Sequence, residues 1–224
     1  MTLIGPAYRF PTNRRVGANV NPVATVSPAR RTALQRRIRL LVAASIAYNL
    51  IEATVALAAG TRASSTALIG FGLDSLIEVS SAAAVAWQFS APDPEAREKA
   101  ALRFVAWSFF ALAGYITVDS VLALTGRGEA LPSPVGMGLA AVSLVAMPLL
   151  SWAQRNAGRE LGSRSAVADS KQTLLCTYLS AVLLLGLLLN AWLGWSWADP
   201  VAALVIAAVA VREGREAWRG DRCC

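Results

Sequence analysis

The stretch Ser65-Thr-Ala-Leu-Ile-Gly-Phe-Gly-Leu-Asp74-Ser-Leu-Ile-Glu78-Val-Ser-Ser81 is small or apolar almost throughout, yet it carries two acids four residues apart. On a helix that spacing stacks both carboxylates on one face, about one turn apart, so both reach the same point beside the helix. Carboxylates so placed share a ligand or repel each other. If the segment crosses a membrane, each ionised acid near its centre costs roughly 2.5–3.5 kcal/mol on insertion scales. The pattern points to a cation or a proton held between Asp74 and Glu78. The alternative is a pair held protonated, or bound to hydroxyls, inside a helix bundle.

Working outward, the composition agrees with a membrane setting. Of 224 residues, 55% are hydrophobic and 16% charged, with a mean hydropathy of +0.48, which excludes a soluble domain around one core. There is no histidine, which removes imidazole proton relays and the commonest metal ligand and leaves carboxylates and thiols. The three cysteines are Cys176, inside an apolar run, and the terminal pair Cys223 and Cys224. Their spacing fits neither a disulfide framework nor a zinc ribbon. The terminal pair reads as a solvated tail in a reducing compartment, with metal binding or lipidation as the alternatives. No set of nucleophile, base and oxyanion donors is apparent, so no enzyme activity and no resident cofactor is expected.

Six apolar runs lie near residues 40 to 59, 65 to 89, 103 to 125, 134 to 153, 171 to 193 and 197 to 212, and most approach the ~20 residues of a helical span. The fifth and sixth are separated only by Gly194, Trp195 and Ser196, which predicts a tight helical hairpin with Trp192, Trp195 and Trp197 as an interfacial belt. Residues 1–34 read as a mobile basic segment, 35–218 as the six-helix domain and 219–224 as a short tail. An even number of spans puts both termini on one side. The stretch before the first apolar run holds eight arginines, the second connection three lysines and arginines, the fourth connection four, and residues 212–224 four, against Arg62 and Arg127 on the other face. Positive-inside bias then places both termini in the cytoplasm of a cell with this chain in its inner or plasma membrane. The net charge of +7 is a topology and lipid signal, and nucleic-acid binding is not needed to explain it.

Sliding the chain by 98 residues lays Ser65–Glu78 over Ser163–Cys176. Ser65 falls on Ser163 and Leu76 on Leu174, three further positions are small in both, and Asp74 and Glu78 fall on Gln172 and Cys176. A polar pair at i, i+4 thus enters an apolar helix twice. Two such helices packed through small residues offer four ligands to one ion.

Asp74-Ser-Leu-Ile-Glu78, Ser165-Ala-Val-Ala-Asp-Ser170 and Gly194-Trp-Ser-Trp-Ala-Asp-Pro200, each at its own span, resemble the transmembrane domain of the cation diffusion facilitators. The resemblance runs over about residues 35 to 218 and includes the order of six spans. It implies an all-α membrane protein, a six-helix bundle that exchanges a divalent metal for protons as a homodimer, through a tetrahedral zinc site between spans two and five. This chain departs from the pattern. Gln172 stands for the family's histidine and Cys176 for its span-five aspartate, the histidine-rich connection is replaced by Ala91-Pro-Asp-Pro-Glu-Ala-Arg-Glu-Lys99, and a short tail follows span six where the family has a cytoplasmic metallochaperone-like domain.

The expected site is therefore Asp74, Glu78 and Cys176 with Gln172, whose neutral carbonyl oxygen lies on the ion or just behind it. Asp169 is an alternative to Gln172, or a cap or gate at the helix end. A thiolate selects Zn2+ and softer ions over Mg2+ and Ca2+. Two close carboxylates in low dielectric hold a proton when empty and release it to an arriving metal, as an antiporter requires. Glu52, three residues from Asn49 in span one, is a second proton carrier or a buried acid bonded to Ser or Tyr of a neighbouring helix. Asp119 is expected near solvent, Asp199 as the cap of span six, and Pro148 as a kink in span four. Two other functions remain open on these residues: a membrane scaffold that kept the fold without transport, and a carrier of protons or another cation.

Overall fold

The computed structural model describes residues 27–89, 94–127, 130–161 and 164–219, without the side chains of Asp169, Lys171 and Gln172 among others. The expected mobile segment lies outside the described residues as far as residue 26, as do Cys223 and Cys224. Six helices follow: α1 (Pro28–Ala63), α2 (Thr66–Phe89), α3 (Pro94–Leu122), α4 (Pro134–Leu161), α5 (Arg164–Leu193) and α6 (Ala198–Arg219). Among the described residues there is no strand, and the chain is an all-helical membrane bundle.

The helix ends follow local chemistry. Ser27 Oγ accepts the Arg30 N–H at 3.4 Å, with Pro28 in the first turn, where its missing N–H costs nothing. Residues 28–34 thus form the first turns of α1. At its other end Ser64 takes a left-handed φ of 51°, and Ser65 immediately caps α2 by accepting the Leu68 N–H at 3.1 Å. α3 closes in a π-type turn, Ala123–Arg127. The α5–α6 hairpin turns at Gly194, whose φ of +66° favours glycine. Trp195 and Trp197 stack there with ring centroids 5.2 Å apart, forming the expected aromatic end with the exposed Trp192. At the basic end, Trp107 of α3 meets Trp218 of α6 edge-on at 5.9 Å, and the Arg103 guanidinium lies 5.7 Å from the Trp218 ring.

Among the described residues five helices are long and apolar enough to cross a membrane. α6 falls short because its apolar run, Pro200–Val211, is bounded by Asp199 and Arg212 and measures only about 18 Å along the axis. It is nonetheless part of the bundle, packed along α3 and against α2 and α5. α4 continues as one helix through Pro148.

α2 is the hub. It packs on α1, α3, α5 and α6, and half of its apolar span is buried against 28% for α1 and α4. Helices in lipid gain no hydrophobic energy from each other, so they associate where small residues allow close packing. Gly72 shows this: a Cβ there would stand 3.0 Å from Ala56 Cβ and from Leu57 Cγ of α1. A core of Leu68, Phe71, Ile116, Leu183 and Ile206 fills the bundle on the other side of α2. Helices α1, α2, α5 and α4 touch in a closed ring, and the polar face of α2 looks into it.

Candidate metal site

Asp74 and Glu78 sit on α2 about 12 and 18 Å from its N-terminus, and Cys176 sits on α5. One ligand atom from each, two carboxylate oxygens and the thiol sulfur, lie within 4.8 Å of one another. Asp74 and Cys176 are buried and Glu78 is half-buried. The thiol thus lies beside the Glu78 carboxylate. The 98-residue offset thus pairs residues that meet in space: Glu78 and Cys176 occupy equivalent positions on neighbouring helices. Gln172 and Asp169 belong to the first part of α5, but their side chains lie outside the described ones.

α1 closes the site from behind with residues that the helical spacing brings to one face. Asn49 Nδ2 donates to Glu78 Oε2 at 2.6 Å. Three residues on, Glu52 is almost wholly buried and accepts from Ser75 Oγ of α2 at 2.8 Å and from Ser143 Oγ of α4. Tyr48 OH and Ser143 Oγ lie 2.7 Å apart, so the network runs Tyr48–Ser143–Glu52–Ser75 and ends one residue from Asp74. Glu52 is therefore an acid bonded to hydroxyls of neighbouring helices, and its charge reaches Asp74, Glu78 and Cys176. Among the described residues no lysine or arginine forms an ion pair with any of these four groups. Such a concentration of acids in a low-dielectric bundle has to be neutralised by protons or by a cation.

At the far end of α2 the structure corrects two expectations. Asp199, expected as the cap of span six, lies inside the first turn of α6, and the hydrogen bonds it accepts run to another helix. Buried at 1% exposure, it accepts from Ser65 Oγ and from the Ala67 N–H at 3.2 Å, and so caps α2 from α6. A carboxylate at a helix N-terminus meets unpaired N–H groups and the positive end of the dipole. Asp119 is half-buried rather than solvated, because Thr66 Oγ1 donates to it at 2.6 Å.

At the opposite end, past the apolar run of α6, burial pushes the Glu213 carboxyl above the usual glutamate range; Glu216 adds to the push and Arg212 opposes it. The charge of Glu213 also reaches Asp74, so the negative field of the site extends toward the basic end of the bundle. Sequence reasoning placed Asp74, Glu78 and Cys176 at one site, and the structure brings them together; it did not foresee the Asn49 bond to Glu78 and passed over Ser75, Ser143 and Tyr48 by number. Isolated hydroxyls in apolar runs carry no pattern, and only the i, i+3 spacing of Asn49 and Glu52 marked that face of α1.

The family described as the cation efflux transmembrane domain matches residues 100–219, more than half of the chain. The match begins within α3, after the acids of α2, and takes in the rest of α3 and all of α4, α5 and α6, including Cys176 and Asp199. Among curated proteins nothing matches the chain.

Proposed function

Since the chain belongs to the cation efflux family and is a membrane cation transporter, we propose that it carries a divalent metal, zinc before others, through a site formed by Asp74, Glu78 and Cys176. The observation that carries this reading is the meeting of two carboxylates and one thiol within 4.8 Å, from two helices, inside an apolar bundle. Ligands of one tetrahedral zinc stand about 3.5 Å apart, so an arriving ion draws the three atoms inward by roughly 1 Å. Side-chain rotation is enough for that. Two oxygens and a sulfur favour Zn2+ or Cd2+ over the hard ions Mg2+ and Ca2+.

Proton exchange follows from the same charges. With no cation present, at least one of the two close carboxylates retains a proton, and a metal displaces it because only the deprotonated forms bind it. Protons entering from the opposite side then expel the ion. Glu52, joined to the site through Ser75, is the group that holds a proton while the metal ligands are occupied. Alternating access comes from the α1–α2–α4–α5 ring rocking about the site near the middle of the bilayer. The basic ends face the cytoplasm of the inner or plasma membrane, the working unit is a homodimer, and transport runs outward.

The test is zinc flux into proteoliposomes loaded with a zinc-sensitive dye, with and without a pH gradient, for the native chain and Asp74→Ala. Gradient-driven flux lost in the variant supports the reading. Absence of flux with Zn2+, Cd2+, Co2+, Mn2+ and Fe2+ in well-folded native protein overturns it and leaves a scaffold role.

A further inference from the structure

Among the described residues three acid and thiol donors meet at the site, and a closed zinc site takes four. On α1, Asn49, which is 4% exposed, is hydrogen-bonded to one of the three. Its Nδ2 is committed to Glu78 Oε2 at 2.6 Å, while its Oδ1 is buried with no hydrogen-bond partner. Buried amide oxygens are nearly always satisfied, so an orphan beside a cluster of metal-binding groups has a specific meaning. That hydrogen bond also fixes which way the amide faces, since turning it over would set Oδ1 against a carboxylate oxygen. Oδ1 shares a carbon with Nδ2, so it lies no farther from Glu78 Oε2 than that hydrogen bond plus the width of one amide group.

We propose that the amide oxygen of Asn49 is a ligand of the transported cation, so that α1 completes a site otherwise built by α2 and α5. The proposal rests on the transport reading above and extends it. Asn49 holds Glu78 Oε2 through its N–H and leaves the other carboxylate oxygen free for the ion, while its own oxygen meets the ion from the third side. A neutral oxygen adds coordination without adding charge, which weakens the hold on the ion relative to a third carboxylate and favours its release. It also ties the ion to α1, so occupancy of the site is felt by the Glu52 network three residues along the same helix.

The test is titration of the purified full-length chain in detergent with Co2+ alone and with Zn2+ alone. Co2+ is followed by its ligand-field and thiolate charge-transfer absorption, and Zn2+ by calorimetry. Native protein, Asp74→Ala, Asn49→Ala and Asn49→Asp are compared, each checked for monodispersity by size exclusion. If Asn49 is a ligand, Asn49→Ala weakens binding about tenfold or more and alters the ligand-field bands. Asn49→Asp keeps an oxygen donor in place and binds as tightly as native or tighter. If Asn49 only orients Glu78, the aspartate repels that carboxylate and both variants lose affinity alike, which overturns the proposal. Native-like binding in Asn49→Ala overturns it too. Should Asn49→Ala fail to fold, the isosteric Asn49→Asp decides alone. Binding in native protein that is lost in Asp74→Ala leaves the transport reading standing whichever way Asn49 falls, and no binding in native protein defeats both.

Discussion

Removing the Asp199 carboxylate tests the claim that α6 holds α2, and with it the site, at a fixed depth. In Asp199→Ala two hydrogen bonds vanish, from Ser65 Oγ and from the Ala67 N–H. Hydrogen bonds between spans are worth about 0.6 kcal/mol each on average, so the pair contributes about 1.2 kcal/mol. Ser65 keeps its bond from Leu68 N, but the buried Ala67 N–H is left unpaired, which adds about 1 kcal/mol. The expected loss is about 2 kcal/mol, while Asp199→Asn, which keeps one acceptor, loses about half of that. The assay is reversible unfolding in mixed detergent and dodecyl sulfate micelles, followed by tryptophan fluorescence. A double-mutant cycle with Ser65→Ala isolates the side-chain pair, with a coupling of about 0.6 kcal/mol. Asp74 and Glu78 lie about 10 and 16 Å along α2 from Ala67, so freeing the cap lets that register drift, and metal flux falls as well. A stability change under about 0.5 kcal/mol together with strict additivity to Ser65→Ala refutes the tether.

Cys176→Ser replaces a soft ligand by a hard one; competition binding should show Zn2+ and Cd2+ weakened at least about tenfold while Mn2+ changes little. Glu52→Gln removes the acid between Ser75 and Ser143; zinc uptake measured at several pH gradients should lose most of its dependence on the gradient, and an unchanged dependence removes Glu52 from proton coupling. Affinity for zinc should rise with pH, because binding displaces protons, and calorimetry in buffers of different ionisation heat should show at least one proton released per ion. Gly72→Val places new atoms where a single Cβ already meets Ala56 and Leu57 at 3.0 Å; α1 and α2 are forced apart, with about 1–3 kcal/mol lost in the same micelle unfolding assay.

The all-helical fold was legible because each device that makes a span writes itself locally. Apolar length marked the helices, the lysine and arginine distribution marked their ends, and Gly194 between two tryptophans marked the last hairpin. The helices overrun the apolar runs at the basic end, α1 starting at Pro28 and α4 continuing to Leu161, because backbone hydrogen bonding persists after hydropathy stops. α6 was harder to classify: its charges at 199 and from 212 onward shorten the apolar run, yet its place beside α3 and α2 makes it part of the bundle.

For the site, the sequence by itself determined one face of α2. The spacing of Asp74 and Glu78, and its echo at Gln172 and Cys176, follow from helical periodicity, which is a property of neighbours in the chain. Only the tertiary structure decided what stands opposite that face. Asn49 reaches Glu78 across 29 residues, Ser143 reaches Glu52 across 91, and Asp199 caps α2 across 134. Those partnerships depend on how deep each helix sits and which way it is turned. Both are set by close packing at small residues such as Gly72 and by the demand that every buried polar group find a partner in lipid, and neither leaves a periodic trace in the sequence.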